Sequence, residues 1–368
     1  MSLTTPKKIL FIADHLKGGG AENMLLNLAE QLYDRCYEIH ILTLLNINNY
    51  EKRTKNFTLH SADLSTQFVG GKLLVEKQLS TSEYAKLTSM INHIKPDAII
   101  VTIWYSYLIT PYISHENLWI WSQSDILPEF GKTLNPIKFL RNIYKKIIFT
   151  RNFKQLFSHK NIITLNTDIE EKYKKLLDNI NIHVIYNGLA NIDQFNISLN
   201  EKIWDICYVG RLSPSKQVEH AIIAFHQSQL KGRMVIVGDG MRKNKLLKLT
   251  KKLNLENRIV FIGWVEDPQK YIQQSKVLVL PSSTEGYPTV IGEALINQTP
   301  VVAYKCTQGI SHQLYTTDMQ RGLVPTNDIN ALKNALEDII HDPYHIPSNI
   351  SERYSMDKMT QAFLKLID

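Results

Sequence analysis

Apolar runs of strand length alternate along this chain with amphipathic runs of helix length, and the alternation starts twice. KKILFIADH is followed by AENMLLNLAEQLYDR, whose Met24, Leu25, Leu28 and Leu32 recur at helical spacing, and then by YEIHILTLL. DAIIVTIW, NLWIWSQ and NIITLN are further unbroken apolar runs. Strands buried on both faces read this way, and the helices between them supply the crossovers that a parallel sheet needs. After Asn187 the rhythm begins again with WDICYVGRL, a helix-like QVEHAIIAFHQSQL, RMVIVGDG, RIVFIGWV, KVLVLPSS and TPVVAYK. The pattern predicts an α/β chain of two Rossmann-like doubly wound domains, 1–190 and 196–350. VIYNGLANIDQFN is the expected linker. SERYSMDKMTQAFLKLID, opened by Ser351, reads as a terminal helix over 351–368 that packs back on the first domain.

A chain of 368 residues suits two domains, and 44% hydrophobic residues suffice for two cores without staples. The three cysteines, Cys36, Cys207 and Cys306, are far apart and have no metal-ligand spacing, so they read as buried thiols in a reducing compartment. The N-terminal apolar run ends at Asp14 and reads as a first strand, not as a signal peptide. No stretch is long enough to span a bilayer. These features predict a cytoplasmic protein. The net charge of +7 favours anionic partners.

The stretch PSSTEGYPTVIGEALINQTPVVA, from Pro281 to Ala303, reads as strand end, loop, helix and next strand. Pro288 suits the first helical turn, where its missing N–H has no partner to lose. Gly286 lets the backbone approach a ligand. The helix mouth presents free N–H groups and the positive end of its dipole, which together form an anion site. Glu293, inside the helix, can accept two hydrogen bonds from neighbouring ribose hydroxyls. Glu285 stands where ligands bind in open α/β sheets, at the carboxyl end of a strand. Either glutamate alone reads better as an ordinary solvated side chain; the whole string reverses this and points to a nucleotide diphosphate carrying a sugar.

Three other loops share the strand-to-helix setting. In YVGRLSPSKQVEHAI, Gly210 ends a strand and Arg211 and Lys216 flank a short loop. Two cations there can bind a diphosphate and stabilise it as a leaving group, or can be solvated surface charges. In VIVGDGMRKNKL, Gly238 and Gly240 fit turn chemistry as well as ligand approach. HLKGGGAENMLLNLA places three glycines before a helix, a phosphate-approach loop that matches neither G-x-G-x-x-G nor a P-loop, which disfavours a dinucleotide oxidoreductase or an NTPase.

With these residues in view, the chain resembles a retaining glycosyltransferase of family 4 (group 1), with the GT-B fold of two facing Rossmann-like domains and a cleft between them. GGGAE at 18–22, VIYNG at 184–188, VGRLSPSK at 209–216, GDG at 238–240, FIGWVED at 261–267, EGYPTVIGEA at 285–294 and TPVVA at 299–303 carry the resemblance. It implies that Arg211 and Lys216 bind the donor diphosphate, that Glu293 holds the ribose and that Glu285 contacts the donor sugar. Gly210, Gly238, Gly286, Tyr287, Pro288 and Thr289 would line the donor site, Trp264 and Val265 would touch the base, and Gly19 and Gly20 would close over the donor from the other domain. It implies no metal and no cofactor, a nucleotide-diphosphate sugar (UDP first, GDP-mannose second) as donor substrate, and retention by front-face attack. The implied acceptor is a cell-surface glycan or a lipid-linked precursor of capsule, O-antigen or lipopolysaccharide core.

Three positions depart from the family pattern. Trp121-Ser-Gln-Ser-Asp125 has Gln123 where many relatives have a histidine near the acceptor, and a glutamine cannot act as a base. His15, Gln123 and Asp125 are therefore the acceptor-side candidates. His312 stands where a Gly-x-x-Glu turn usually has its glutamate. Gln298 occupies a helix-end position that favours Gly. A GT-B epimerase or phosphorylase, and a sugar-nucleotide-binding protein without catalysis, are the other functions the sequence admits.

Residues 135–160 hold Lys138, Arg141, Lys145, Lys146, Arg151, Lys154 and Lys160 interleaved with apolar side chains, and no acidic residue lies between Glu129 and Asp168. The stretch fits a solvated helix covering the core or a basic amphipathic face for anionic lipid. The resemblance favours the lipid surface, hence peripheral attachment at the inner face of the plasma membrane. No nucleic-acid module accompanies the charge.

Overall fold

The computed structural model describes residues 6–65, 67–69, 77–127, 135–189 and 202–368. They form two compact units, Met1–Gly188 together with Met356–Asp368, and Leu189–Ser355.

In the first unit, β1 (Lys8–Ala13), β2 (Glu38–Thr43), β3 (Thr58–Ser61), β4 (Ala98–Thr102), β5 (Leu118–Trp121), β6 (Asn161–Thr164) and β7 (Asn181–Val184) make one sheet in the order β3-β2-β1-β4-β5-β6-β7. Every pairing is parallel, with Ile9 opposite Ile39 on one side and Ala98 on the other. The strand expected from KKILFIADH is buried from Ile9 to Ala13, as a strand covered on both faces must be. The crossovers are α1 (Gly20–Tyr33), the short α2 (Glu51–Thr54), α3 (Thr81–Ile94), α4 (Pro136–Phe157) and α5 (Thr167–Leu176). Ser80 and Glu83 form a reciprocal capping box at the start of α3. Asn135 caps α4, with Pro136 next to it.

A terminal helix, α12 (Met356–Ile367), completes this unit, with Met356, Met359, Phe363 and Ile367 buried along one stripe. Phe363 meets Trp121 edge to face at 4.8 Å between centroids, and Arg35 of the α1 C-terminus pairs with Asp357. The helix begins four residues later than a Ser351 cap would place it. Ile350–Tyr354 instead form a 3-10 turn within the second unit, because Ile350 and Tyr354 are buried there. Tyr354 fills the space above Gly292, where a Cβ would stand 2.6 Å from its ring. Part of the expected linker, residues 190–196, lies outside the described residues, as does the expected start of the second domain at 196; Asn187, just before it, is buried.

The second unit repeats the plan. Its β8 (Trp204–Val209), β9 (Met234–Val237), β10 (Ile259–Gly263), β11 (Ser275–Leu280), β12 (Val301–Tyr304) and β13 (Leu323–Val324) are ordered β10-β9-β8-β11-β12-β13, all parallel. The helices between and after them are α6 (Val218–Gln227), α7 (Lys243–Lys252), α8 (Gln269–Gln273), α9 (Thr289–Ile296), α10 (Gln308–Gln313) and α11 (Ile329–His341). Both sheets are doubly wound. Strand order reverses between β1 and β4 in the first unit and between β8 and β11 in the second, and the carboxyl ends of those strand pairs are where such sheets bind ligands.

Candidate active site

The reversal point of the second sheet gathers most of the candidate residues. The chain leaves β8 through Gly210 at φ 151°, and the Tyr208 hydroxyl donates to the Arg211 carbonyl at 2.9 Å. Pro214–Lys216 then make one 3-10 turn, and Gln217 in the left-handed region opens α6. The chain leaves β11 through Ser282 and Ser283 toward Glu285. The two loops are stitched together: the Ser283 N–H and hydroxyl both donate to the Ser215 carbonyl, at 2.8 and 3.1 Å. The stitch brings Lys216 Nζ to 2.5 Å from Glu285 Oε1, with little of the Glu285 side chain open to solvent. Arg211, on the other side of the loop, is exposed and pairs with no carboxylate among the described residues.

Gly238 and Gly240 line the adjoining turn. Each has φ well into the positive range, and neither has room for a side chain. A Cβ on Gly238 would lie 2.0 Å from the Gly210 carbonyl oxygen, and one on Gly240 would lie 2.6 Å from that of Leu212. The Gly238 N–H donates to the Gly263 carbonyl at 2.7 Å, which ties the end of β10 into the same edge. Trp264, the next residue, is 69% exposed, and Val265 is half-buried.

The helix expected near Pro288 begins at Thr289, with Pro288 at its cap position. Gly286 and Tyr287 are buried; Pro288, Thr289 and Glu293 are half-buried. The Thr289 hydroxyl bonds the Glu293 carboxyl one turn on. Protein atoms crowd that carboxyl and Asp267 repels it, which pushes it up to about 7. Cys306, after β12, was missed as a neighbour of the site. Burial and then the charge of Glu285 hold its thiol up at about 12, so it stays neutral. Burial, then the nearby Arg353, lowers His312, so its ring is a neutral partner for the Arg353 guanidinium. Arg353 also donates to the His312 carbonyl at 3.0 Å and covers the Tyr315 ring at 3.9 Å.

The acceptor-side candidates lie at the carboxyl edge of the first sheet, on two different loops. His15 follows β1. Gln123 and Asp125 follow β5, where Asp125 is paired with Lys172 at 2.5 Å and the Gln123 amide nitrogen is buried without a partner among the described residues. Gly19 and Gly20 open α1; a Cβ on Gly20 would meet nothing within 4 Å. Two acids that sequence reading passed over stand here. Asp14 is buried and accepts from the Ser106 N–H at 2.7 Å; burial holds it up at about 7 against that bond, and the Glu22 charge adds to the rise. Glu22, in the first turn of α1, is also buried. An acid ending an apolar strand and another beside a glycine loop were the available signals.

Residues 190–357 match the family described as group 1 glycosyl transferases. Among the curated proteins similar to this chain is the UDP-Gal:alpha-D-GlcNAc-diphosphoundecaprenol alpha-1,3-galactosyltransferase of Escherichia coli, 30% identical over 217 residues, 54% of each chain. A second is the Campylobacter jejuni N-acetylgalactosamine-N,N'-diacetylbacillosaminyl-diphospho-undecaprenol 4-alpha-N-acetylgalactosaminyltransferase, 27% identical over 222 residues, 57% of this chain and 59% of that one. The chain spans about half the length of the curated relatives it matches. The structure of Anabaena Alr3699/HepE in complex with UDP-glucose aligns with 97% of this chain and 98% of that one, at a TM-score of 0.75 and 20% identity. The fold is thus GT-B, two Rossmann-like units in one chain.

The basic stretch is a single helix, α4. Its last turns are anchored by Phe153, Leu156 and Phe157, which are buried among Tyr107 and Tyr173. Its first turns present Ile137, Leu140, Tyr144 and Ile147, each more than 60% exposed and spaced along one stripe, with Lys138, Arg141, Lys145 and Lys146 beside them. No helix among the described residues is long and apolar enough to cross a membrane. Among the described residues, no cluster of three or more His, Cys, Asp or Glu side chains could hold a metal ion.

Proposed function

We propose that the protein transfers a sugar from a nucleotide-diphosphate sugar, with UDP as the first expected nucleotide, to a lipid-linked or polysaccharide acceptor, with retention at the anomeric carbon and without a metal. The observation that carries this reading is the Lys216–Glu285 ion pair at the reversal point of the second sheet. An empty site that kept these charges apart would leave a partly buried carboxylate unpaired, which is costly. The pair solves that problem, and a ligand enters by exchange of partners. A diphosphate takes the Lys216 ammonium, with Arg211 free to join it, and the sugar hydroxyls take Glu285. As the glycosidic bond breaks, negative charge collects on the diphosphate, and fixed cations there lower the barrier. Glu293, one helical turn inside α9, would accept from ribose hydroxyls, and the exposed Trp264 would offer a face beside the β10 end for the base.

The acceptor class rests on the diphosphoundecaprenol-linked acceptors named for the two relatives above, and UDP on the nucleotide in the HepE complex. The apolar stripe of α4 with its flanking cations suits an anionic lipid surface, where such an acceptor resides.

The test is a panel of UDP-, GDP-, ADP- and CDP-sugars followed by thermal unfolding, because a ligand of the native state raises stability. A UDP-sugar should shift the midpoint and should then be consumed with a lipid-linked acceptor. Absence of a shift and of turnover with every nucleotide sugar would overturn the reading.

A further inference from the structure

The first turn of α6 carries a carboxylate at the place where the donor's phosphates would bind. Glu219 is the second residue of α6, three positions after Lys216. Gln217 opens the helix at φ 45° without a side-chain cap bond, so its side chain does not cover the first amides of α6. Amides at a helix mouth favour an anion, and a fixed carboxylate in the same turn competes with an anion that arrives from solution.

A second element takes that carboxylate. Arg242, at the cap position of α7, donates from Nη2 to Glu219 Oε1 at 3.1 Å. Backbone bonds hold Arg242 to the loop that carries Arg211: its N–H donates to the Leu212 carbonyl at 2.9 Å, and the Leu212 N–H donates to the Asp239 carbonyl at 2.8 Å. Lys243 donates to the Asp239 carboxylate at 2.6 Å, which leaves Arg242 to Glu219. Little of either side chain is open to solvent, 27% of Arg242 and 20% of Glu219. Arg242 Nε and Glu219 Oε2 are buried with no partner among the described residues. The pair thus makes one of the two bonds that a guanidinium–carboxylate fork can make. The contact matches charge better than it matches shape.

We propose that Arg242 is a positioning residue of the donor site that acts through Glu219: it masks the charge of that acid, so that the mouth of α6 accepts a diphosphate. The assignment rests on the nucleotide-sugar reading above. Without Arg242 the partly buried carboxylate stands unmatched beside the incoming phosphates, and like charges in such a setting weaken binding. The two members of the pair therefore act on the donor in opposite directions. Loss of the cation weakens binding, and loss of the acid makes the loss of the cation harmless. A bridge that only joined α6 to α7 would weaken binding when either member is removed and would give no rescue in the double variant.

The experiment is calorimetric titration of the full chain with UDP, for the parent, Arg242→Ala, Arg242→Gln, Arg242→Lys, Glu219→Gln and the double variant Glu219→Gln/Arg242→Ala. Arg242→Ala should weaken UDP binding by roughly 10-fold, and the loss should shrink at high salt. Arg242→Gln keeps an N–H for Glu219 but removes the charge, and should lose as much. Arg242→Lys keeps the charge and should bind within about threefold of the parent. Glu219→Gln should bind at least as tightly as the parent, and the double variant should recover to within about threefold of it. A double variant as weak as Arg242→Ala would overturn the proposal, because it would assign Arg242 itself to the phosphates or the bridge to the fold. Binding by Arg242→Ala within twofold of the parent would overturn it too. If Arg242→Ala fails to fold, Arg242→Gln takes its place in both comparisons. A parent protein that binds no nucleotide diphosphate would instead sink the donor-site reading, and this proposal with it.

Discussion

Lys216 and Glu285 are 69 positions apart in the chain and meet at 2.5 Å, so this cation and this acid of the second unit neutralise each other. Replacing either residue with alanine removes one partner and leaves the other partly buried and unmatched. Each variant should lose transfer by about 100- to 1,000-fold in kcat while circular dichroism stays that of the parent. Near-normal turnover in either variant would remove the roles assigned here.

Glu293 gives a pH dependence with a definite sign. Its carboxyl is raised from 4.5 to about 7 in the folded chain. The native state therefore binds the proton more tightly than the unfolded state, and stability is lost as pH rises from about 4.5 through 7. Glu293→Gln should leave stability at pH 4 nearly unchanged and raise it at pH 8 by on the order of 2 kcal/mol, given about 1.4 kcal/mol per pKa unit and some solvent screening. Nucleotide binding runs the other way: an ionised carboxylate receives the ribose hydroxyls, so UDP affinity should fall below pH 7 and be weak in the Gln variant. Urea unfolding and calorimetry at pH 5 and pH 8 check both; equal stability of parent and variant at pH 8 would contradict the first.

Gly238, in the turn after β9, and Gly20, the first residue of α1, should differ sharply in tolerance. A methyl at 238 collides with the Gly210 carbonyl in a backbone region closed to alanine, whereas a methyl at 20 meets nothing. Gly238→Ala should cost about 3 kcal/mol or more, and Gly20→Ala should stay within about 0.5 kcal/mol. Denaturation midpoints distinguish the two.

The α4 surface predicts lipid binding with two separable parts. Lys145, Lys146 and Arg151 changed together to Glu should weaken association with vesicles containing anionic lipid by at least about 1 kcal/mol per charge. Leu140→Asp with Ile147→Asp should weaken it by removing the inserted stripe, without touching the anchoring Phe153 and Phe157. Sedimentation with vesicles of defined composition reads both. Binding equal to the parent in the charge variant would refute the membrane role.

Strands such as β1, β4, β8 and β11 were legible because a doubly covered strand must be an apolar run. The others carried little signal. β13 has two residues, and the first two of β3 are exposed, so their sequences differ little from loop. The glycines were readable as turns, but the reason Gly238 must be glycine is a carbonyl 28 positions earlier in the chain, a contact only topology creates. The same holds for the site: each motif could be read singly, while the Ser283–Ser215 stitch that joins them could not. The late start of α12 was hidden because Ile350 and Tyr354 fit a helical stripe but have deeper burial in the second unit.

The stripe of α12 closes the first unit with residues 356–368, and Tyr37, Lys7 and Asn117 clasp its end through Asp368 and Ile367. The ribosome makes the first sheet early but delivers this covering helix only after the whole of the second unit. Until then Trp121 lacks the aromatic partner that packs on it. A nascent chain halted before residue 356 would thus hold a finished second unit behind an unfinished first one, and any truncation meant to isolate the first unit must bring residues 356–368 along with it.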